Sequence, residues 1–90
     1  MAAFGPSEED KLLVLGLKDE GNKLLGENKY ALAAEKYSEG IALAPTSILY
    51  SNRAQALIKL ESFGLAIMDA NESIKLDPNY LKVIKGRRTT

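Results

Sequence analysis

An internal repeat with a period of 33 residues is the feature that most limits how this chain can fold. A stripe of small and apolar residues at spacing i, i+3, i+4, i+7 and i+11 occurs twice, and the second copy lies 33 positions after the first. The stripes are Tyr30, Ala33, Ala34, Tyr37 and Ile41, followed by Phe63, Ala66, Ile67, Ala70 and Ile74. The same shift maps Gly21, Leu24, Leu43 and Pro45 onto Ala54, Leu57, Leu76 and Pro78. This spacing marks one face of a helix, so the pattern predicts two helix–turn–helix repeats and a third that begins after Pro78.

Capping residues and prolines set the expected helix boundaries. Ser7 is a good N-cap and Asp10, three residues later, is a weak capping-box partner, so a first helix is predicted over residues 7–25. After a short break, a second helix is predicted over residues 30–43, ending before Pro45 because the residue before a proline disfavours helical geometry.

Residue size along the stripes indicates how the helices pack. Small residues are expected to let paired helices approach closely, at Gly21, Ala33, Ala54 and Ala66. Tyr30 and Phe63, each at the start of a second helix, are expected to fill the gap between neighbours. Both stripes are therefore predicted to be core and to bind no ligand.

The composition excludes several classes of function. Cysteine and histidine are absent, which removes disulfides, thiolate or imidazole metal sites and histidine acid–base catalysis, so no catalytic site, metal or cofactor is expected. The carboxylates near the first helix have no partner nucleophile; they are Glu8, Glu9, Asp10, Asp19, Glu20 and Glu27.

Twelve basic and twelve acidic residues cancel, which argues against capture by nucleic acid or an anionic membrane. A short basic end, Lys82, Lys85, Arg87 and Arg88, has no interleaved aromatics for stacking on bases. No apolar run approaches a membrane span, and no signal peptide begins the chain, so the expected location is the cytoplasm, with the nucleus as a second possibility.

Two repeat families have a period near 33 residues. An ankyrin array would show Thr-Pro-Leu-His turns and a β-hairpin between repeats, and the sequence has neither. Segments 17–46 and 47–79 instead resemble tetratricopeptide repeats. The resemblance implies an all-α fold of antiparallel helix–turn–helix repeats in a right-handed superhelix. It also implies a flexible leader over residues 1–6 and one domain over 7–90, with repeats at about 14–46 and 47–80 and a partial repeat or capping helix at about 79–88.

The resemblance extends to co-chaperone domains that grip the acidic C-terminus of heat-shock proteins 90 and 70 with a carboxylate clamp. Lys18 and Asn22 in KDEGN, Asn52 in YSNRA and Lys82 in NYLKV match clamp positions. Gly86 stands where the clamp arginine is expected, and Arg87, one position later, is the nearest substitute. The string at 61–70 is similar to the second repeat of the protein phosphatase 5 family of serine/threonine phosphatases.

The clamp residues make chemical sense as well as matching a motif. Spacing of i, i+4 places Lys18 and Asn22 on one helix face. An ammonium group beside amides forms a donor-rich site suited to carboxylates. A single lysine or asparagine on a helix is usually only solvated, so the inference depends on matches in three separate motif strings.

Two functions of different classes follow. The first is a non-enzymatic adaptor whose concave groove binds the Glu-Glu-Val-Asp tail of heat-shock protein 90 or 70, as a co-chaperone or a phosphatase regulatory module. The alternative is a self-associating scaffold with a non-functional clamp. The second idea rests on the partial third repeat and on a leucine-rich first helix with Leu12, Leu13, Val14, Leu15 and Leu17.

Overall fold

Four helices form the part of the chain that the computed structural model describes, residues 5–79. They are α1 (Glu8–Gly26), α2 (Tyr30–Leu43), α3 (Ser47–Lys59) and α4 (Phe63–Leu76), and no strand occurs between residues 5 and 79. Helix α1 packs on α2, α3 packs on α4, and α2 packs on α3, so two helical hairpins stack side by side. The all-α repeat fold is confirmed. Of the leader expected at residues 1–6, only Gly5 and Pro6 are described, and both are exposed. Residues 1–4, and all but the first residue of the partial repeat expected at about 79–88, lie outside the described residues.

Helix α1 begins with the predicted cap. The Ser7 hydroxyl accepts a hydrogen bond from the backbone N–H of Asp10 at 3.0 Å, and the Asp10 carboxylate accepts one from the Ser7 N–H at 3.5 Å. This reciprocal pair satisfies two amides that the helix itself leaves without partners. It fixes the start of the helix that carries Lys18 and Asn22.

The turn within each hairpin repeats with the same 33-residue period. Asn28 and Glu61 both adopt a left-handed backbone with φ of 63°. Each lies one position past a helix C-cap and completes a Schellman motif, which pairs the last carbonyls of the helix with amides of the turn. The bonds are Lys29 N–H to Leu24 C=O (2.9 Å), Asn28 N–H to Leu25 C=O (3.0 Å), Ser62 N–H to Leu57 C=O (2.8 Å) and Glu61 N–H to Ile58 C=O (2.9 Å).

Small residues do permit close packing in the core. Gly21, Ala33, Ala54 and Ala66 are all buried, as predicted. Tyr37 and Leu49 are fully buried and belong to the main apolar cluster. The Tyr37 ring lies directly against Gly21, where an added Cβ would sit only 2.8 Å from ring atom Cδ1. Gly21 therefore sets the distance between α1 and α2.

Three of the five residues of the second stripe are exposed, which corrects the prediction that the whole stripe is core, whereas Ala66 is buried and Ala70 is half-buried. Phe63, Ile67 and Ile74 are 56%, 61% and 44% exposed, and Phe63 fills no gap between the helices of residues 5–79. The equivalent face of α2 is covered because α3 packs on that helix, whereas none of the helices within residues 5–79 covers this face of α4. On α1, Val14 is buried while Leu12, Leu13 and Leu15 are at least half exposed, as expected for a helix longer than its partner.

A polar network joins three of the helices. Arg53 on α3 donates to both carboxylate oxygens of Asp69 on α4, at 2.7 and 2.8 Å, and to the hydroxyl of Ser38 on α2 at 2.9 Å. The guanidinium carbon also lies 5.5 Å from the centroid of the Tyr50 ring. The hydrogen bond to Asp69 raises the pKa of Arg53 above its usual value, so the guanidinium stays charged. Arg53 thus ties the two repeats together.

Candidate functional site

Two of the predicted clamp residues meet across the repeat boundary. The Asn52 side-chain amide on α3 donates to the Asn22 side-chain oxygen on α1 at 3.1 Å, although the two residues are 30 positions apart. Asn22 is exposed and Asn52 is half-buried, so both amides reach solvent on the same side of the helix pair. The hydrogen bond shows that α1 and α3 present these groups to one surface.

Tyr37 supplies a second contact that the sequence reasoning missed. Its hydroxyl donates to the same Asn22 oxygen at 2.5 Å. The side chain is fully buried, and burial raises the pKa of the Tyr37 hydroxyl above its usual value near 10, so it stays protonated as a donor. Tyr37 is thus core, as predicted, and its hydroxyl makes a hydrogen bond that the apolar pattern did not predict. A tyrosine in a buried stripe was the available signal, because a buried phenol normally finds a hydrogen-bond partner.

Lys18 lies one turn before Asn22 on α1 and is half-buried. No ion pair within residues 5–79 involves its ammonium group, whereas Lys11, Lys29, Lys36 and Lys75 each lie within 4.0 Å of a carboxylate. The positive charge of Lys18 is thus not neutralised by a described neighbour. The remaining predicted members, Lys82 and Arg87, lie outside the described residues, as does Gly86.

The combined geometry favours an anion. With the Asn22 oxygen occupied by two donors, its –NH2 group is directed away from Tyr37 and Asn52. The surface then carries amide N–H donors and an ammonium group, which bind carboxylates by charge-assisted hydrogen bonds.

Other features of residues 5–79 do not indicate a second functional site. None of the helices there is long and apolar enough to cross a membrane. Within residues 5–79, no group of three or more acidic, histidine or cysteine side chains is placed to hold a metal ion. An open cavity of about 320 Å³ lies between α2, α3 and α4, but its polar lining is the Arg53–Asp69–Ser38 network, whose members already pair with one another.

Comparison with known proteins decides the family. No protein-family model matches the sequence. A solved structure, the second TPR of Spaghetti (RPAP3) bound to the HSP90 peptide SRMEEVD, is 36% identical and superposes with a TM-score of 0.77. The match covers 80% of this chain and 68% of that one. This chain belongs to the tetratricopeptide repeat family.

Curated relatives agree with this assignment. The chain is 45% identical over 67 residues to serine/threonine-protein phosphatase T of Aspergillus oryzae, covering 73% of this chain and 14% of that protein. It is 40% identical over 75 residues to small glutamine-rich tetratricopeptide repeat-containing protein 2 of Saccharomyces cerevisiae, covering 82% and 22%. Tetratricopeptide repeat protein 12 of Homo sapiens is also 40% identical, with 82% and 11% covered. The chain therefore spans only a small part of the length of these relatives.

Proposed function

We propose that this tetratricopeptide domain is an adaptor whose groove binds the acidic C-terminal tail of heat-shock protein 90 or 70. The observation that carries the proposal is the convergence of Asn22 and Asn52 on one surface, one turn from Lys18. The solved relative that holds an HSP90 peptide ending in EEVD supports the same ligand.

The terminal aspartate of such a tail offers two carboxylates, one on the main chain and one on the side chain. In the proposed complex Lys18 neutralises charge, while Asn22 and Asn52 donate hydrogen bonds that orient the planar groups. Lys82 and Arg87 are proposed as the second cationic side of the clamp. Each charge-assisted hydrogen bond contributes about 1.5–3 kcal/mol.

The domain itself is proposed to perform no catalysis. Its role is to bring whatever adjoins it in the protein to a chaperone, in the manner of a co-chaperone or a phosphatase regulatory module. A location where these chaperones reside, the cytoplasm or nucleus, is part of the same proposal.

A charge-removal experiment with a matched control tests the role of Lys18. Isothermal titration with a peptide ending in Glu-Glu-Val-Asp compares the wild-type chain, Lys18→Ala and Lys23→Ala. Lys23 is exposed, lies on the same helix and points about 140° away from Lys18 around the axis. Both variants lose one positive charge, so the long-range electrostatic change is the same.

The expected result is specific to position. Lys18→Ala lowers peptide affinity about tenfold to hundredfold, while Lys23→Ala changes it by less than about twofold. Helicity is retained in both because neither side chain is in the core. Equal affinities for wild type and Lys18→Ala would contradict the clamp.

Self-association is the second candidate, because apolar side chains are exposed on both outer helices. Phe63, Ile67 and Met68 on α4 are 56–63% exposed, and Leu12 and Leu13 on α1 are 69% and 53% exposed. Burying each such side chain contributes about 1.5–3 kcal/mol, enough to favour a homo-oligomer. Sedimentation equilibrium of the chain over a wide concentration range tests this, and a single monomer mass throughout would exclude it.

A further inference from the structure

We infer that Tyr37 is a positioning residue for peptide recognition: its buried hydroxyl fixes the rotamer of Asn22 so that the amide N–H groups face the ligand. The inference rests on the proposed function and adds a residue that touches no ligand itself. Three observations carry it: the direction of one hydrogen bond, the burial of its donor and the absence of the same device from the second repeat.

The hydrogen bond sets which end of the Asn22 amide faces the surface. The Tyr37 hydroxyl and the Asn52 amide both donate to the Asn22 oxygen, at 2.5 and 3.1 Å. The Asn52 –NH2 group can only donate, so turning the Asn22 amide over would place two –NH2 groups against each other and remove the acceptor from the Asn52 bond. Asn22 therefore presents donors, not an acceptor, to an incoming carboxylate.

The donor is held rigidly by packing. The Tyr37 side chain has no exposed surface, and its ring rests on Gly21, the residue beside Asn22 in the chain. An exposed asparagine normally samples several rotamers, so ligand binding must offset the entropy lost when that side chain is immobilised. A hydrogen bond from a buried, fixed phenol removes that cost before the ligand arrives.

The arrangement is confined to the first repeat. The residues 33 positions after Gly21, Asn22 and Tyr37 are Ala54, Gln55 and Ala70, which lack both the phenol and the space for it. Tyr37 is thus not a general requirement of the helix stack, since α3 and α4 pack without a tyrosine at this place. A phenylalanine ring would fill the same space, so the feature of Tyr37 that goes beyond core packing is the hydroxyl bonded to Asn22.

The test is a double-mutant cycle on the 90-residue chain, with affinity for a free-carboxylate Glu-Glu-Val-Asp peptide measured by isothermal titration. Tyr37→Phe keeps the ring and removes only the hydroxyl. Tyr30→Phe is the control, because its hydroxyl also donates to an asparagine side chain, Asn28, at 2.8 Å but in the turn. Both single variants are repeated in an Asn22→Ala background.

The expected loss for Tyr37→Phe is about threefold to tenfold in affinity, the value of one hydrogen bond, with no loss for Tyr30→Phe. In the Asn22→Ala background Tyr37→Phe has no further effect, because the group it positions is gone. An equal loss in both backgrounds overturns the inference and assigns Tyr37 a purely structural role. Wild-type affinity in Tyr37→Phe, when Asn22→Ala binds weakly, overturns it as well.

If the proposed function itself is wrong, Asn22→Ala and Lys18→Ala both bind the peptide as tightly as wild type. In that case the positioning role of Tyr37 is refuted as well. If Tyr37→Phe does not fold, nuclear magnetic resonance on the wild-type chain and on Asn22→Ala tests the hydrogen bond instead. The Tyr37 hydroxyl proton should give a slowly exchanging signal in wild type that is lost in Asn22→Ala. A hydroxyl signal that does not change in Asn22→Ala refutes the hydrogen bond.

Discussion

Replacing Asp69 by alanine should be among the most damaging single changes that this domain can undergo. The carboxylate is almost fully buried, with 7% of the side chain exposed, and it accepts two hydrogen bonds from Arg53. Its removal leaves a guanidinium with the Ser38 hydroxyl as its remaining hydrogen-bond partner within residues 5–79. The loss is electrostatic as well as geometric, because a positive charge stays in a partly dry interior.

Breaking a buried ion pair from one side destabilises a protein by about 3–5 kcal/mol. The Arg53 side chain is 25% exposed, so water can partly solvate the stranded charge, and we expect about 3 kcal/mol. For a domain of this size that corresponds to a fall of about 12–24 °C in Tm. Such a loss is a large part of a typical stability of about 5–15 kcal/mol.

Urea unfolding followed by circular dichroism measures the effect. Glu72→Ala is the control, since Glu72 is on the same helix and pairs with Lys75 at 3.2 Å, but the Lys75 and Glu72 side chains are 73% and 43% exposed. Glu72→Ala should lower the free energy of unfolding by less than about 0.5 kcal/mol. Arg53→Ala and the double variant complete a cycle in which the two losses are less than additive. A loss below about 1 kcal/mol for Asp69→Ala would refute the reasoning.

Three further predictions concern packing, backbone and binding. Gly21→Ala should lower the free energy of unfolding by about 1–3 kcal/mol because the new Cβ meets the Tyr37 ring. Gly16 has open space around it, so Gly16→Ala should raise the free energy of unfolding by up to about 1 kcal/mol, and thermal melts compare the two variants. Glu61→Gly should stabilise the chain by about 1 kcal/mol, read from urea midpoints, because Glu61 adopts positive φ; no gain would show that this backbone is not strained. Peptide affinity should fall as ionic strength rises from about 0.1 M to about 1 M, where the Debye length shrinks from about 10 Å to about 3 Å; titrations insensitive to salt would argue against a charged anchor.

Helix positions were predictable because local signals agree. The stripe that starts at Tyr30 and the proline at position 45 bound α2, which runs from Tyr30 to Leu43 as expected. The 33-residue period also holds in detail, since Asn28 and Glu61 adopt the same left-handed geometry. Repetition in sequence thus becomes repetition of turns as well as helices.

Interactions between helices were not predictable from the pattern. Periodicity treats Tyr37 as an apolar residue and says nothing about where its hydroxyl points. Arg53 and Asp69 are 16 residues apart on different helices, and only the packing of α3 on α4 shows that they pair. A stripe likewise predicts an apolar face without showing what covers it, which is why Phe63 was misjudged.

The candidate site was predicted by motif, and the structure describes three of its five residues. Asn22 and Asn52 came from separate motif strings, and the packing of the first repeat on the second brings their side chains into contact. No spacing rule for a single helix relates two residues so far apart in sequence. The binding role of all five residues stays a prediction, and Lys82 and Arg87 also lie outside the described residues.

The measurement that most directly tests the central claim is a paired titration of the wild-type chain with a Glu-Glu-Val-Asp peptide and its C-terminally amidated twin. The two ligands differ by one carboxylate, the group that Lys18, Asn22 and Asn52 are proposed to bind. Losing a charge-assisted contact should weaken the amidated peptide by at least about tenfold. Equal affinities for the two peptides would contradict the proposal that this surface recognises a terminal carboxylate.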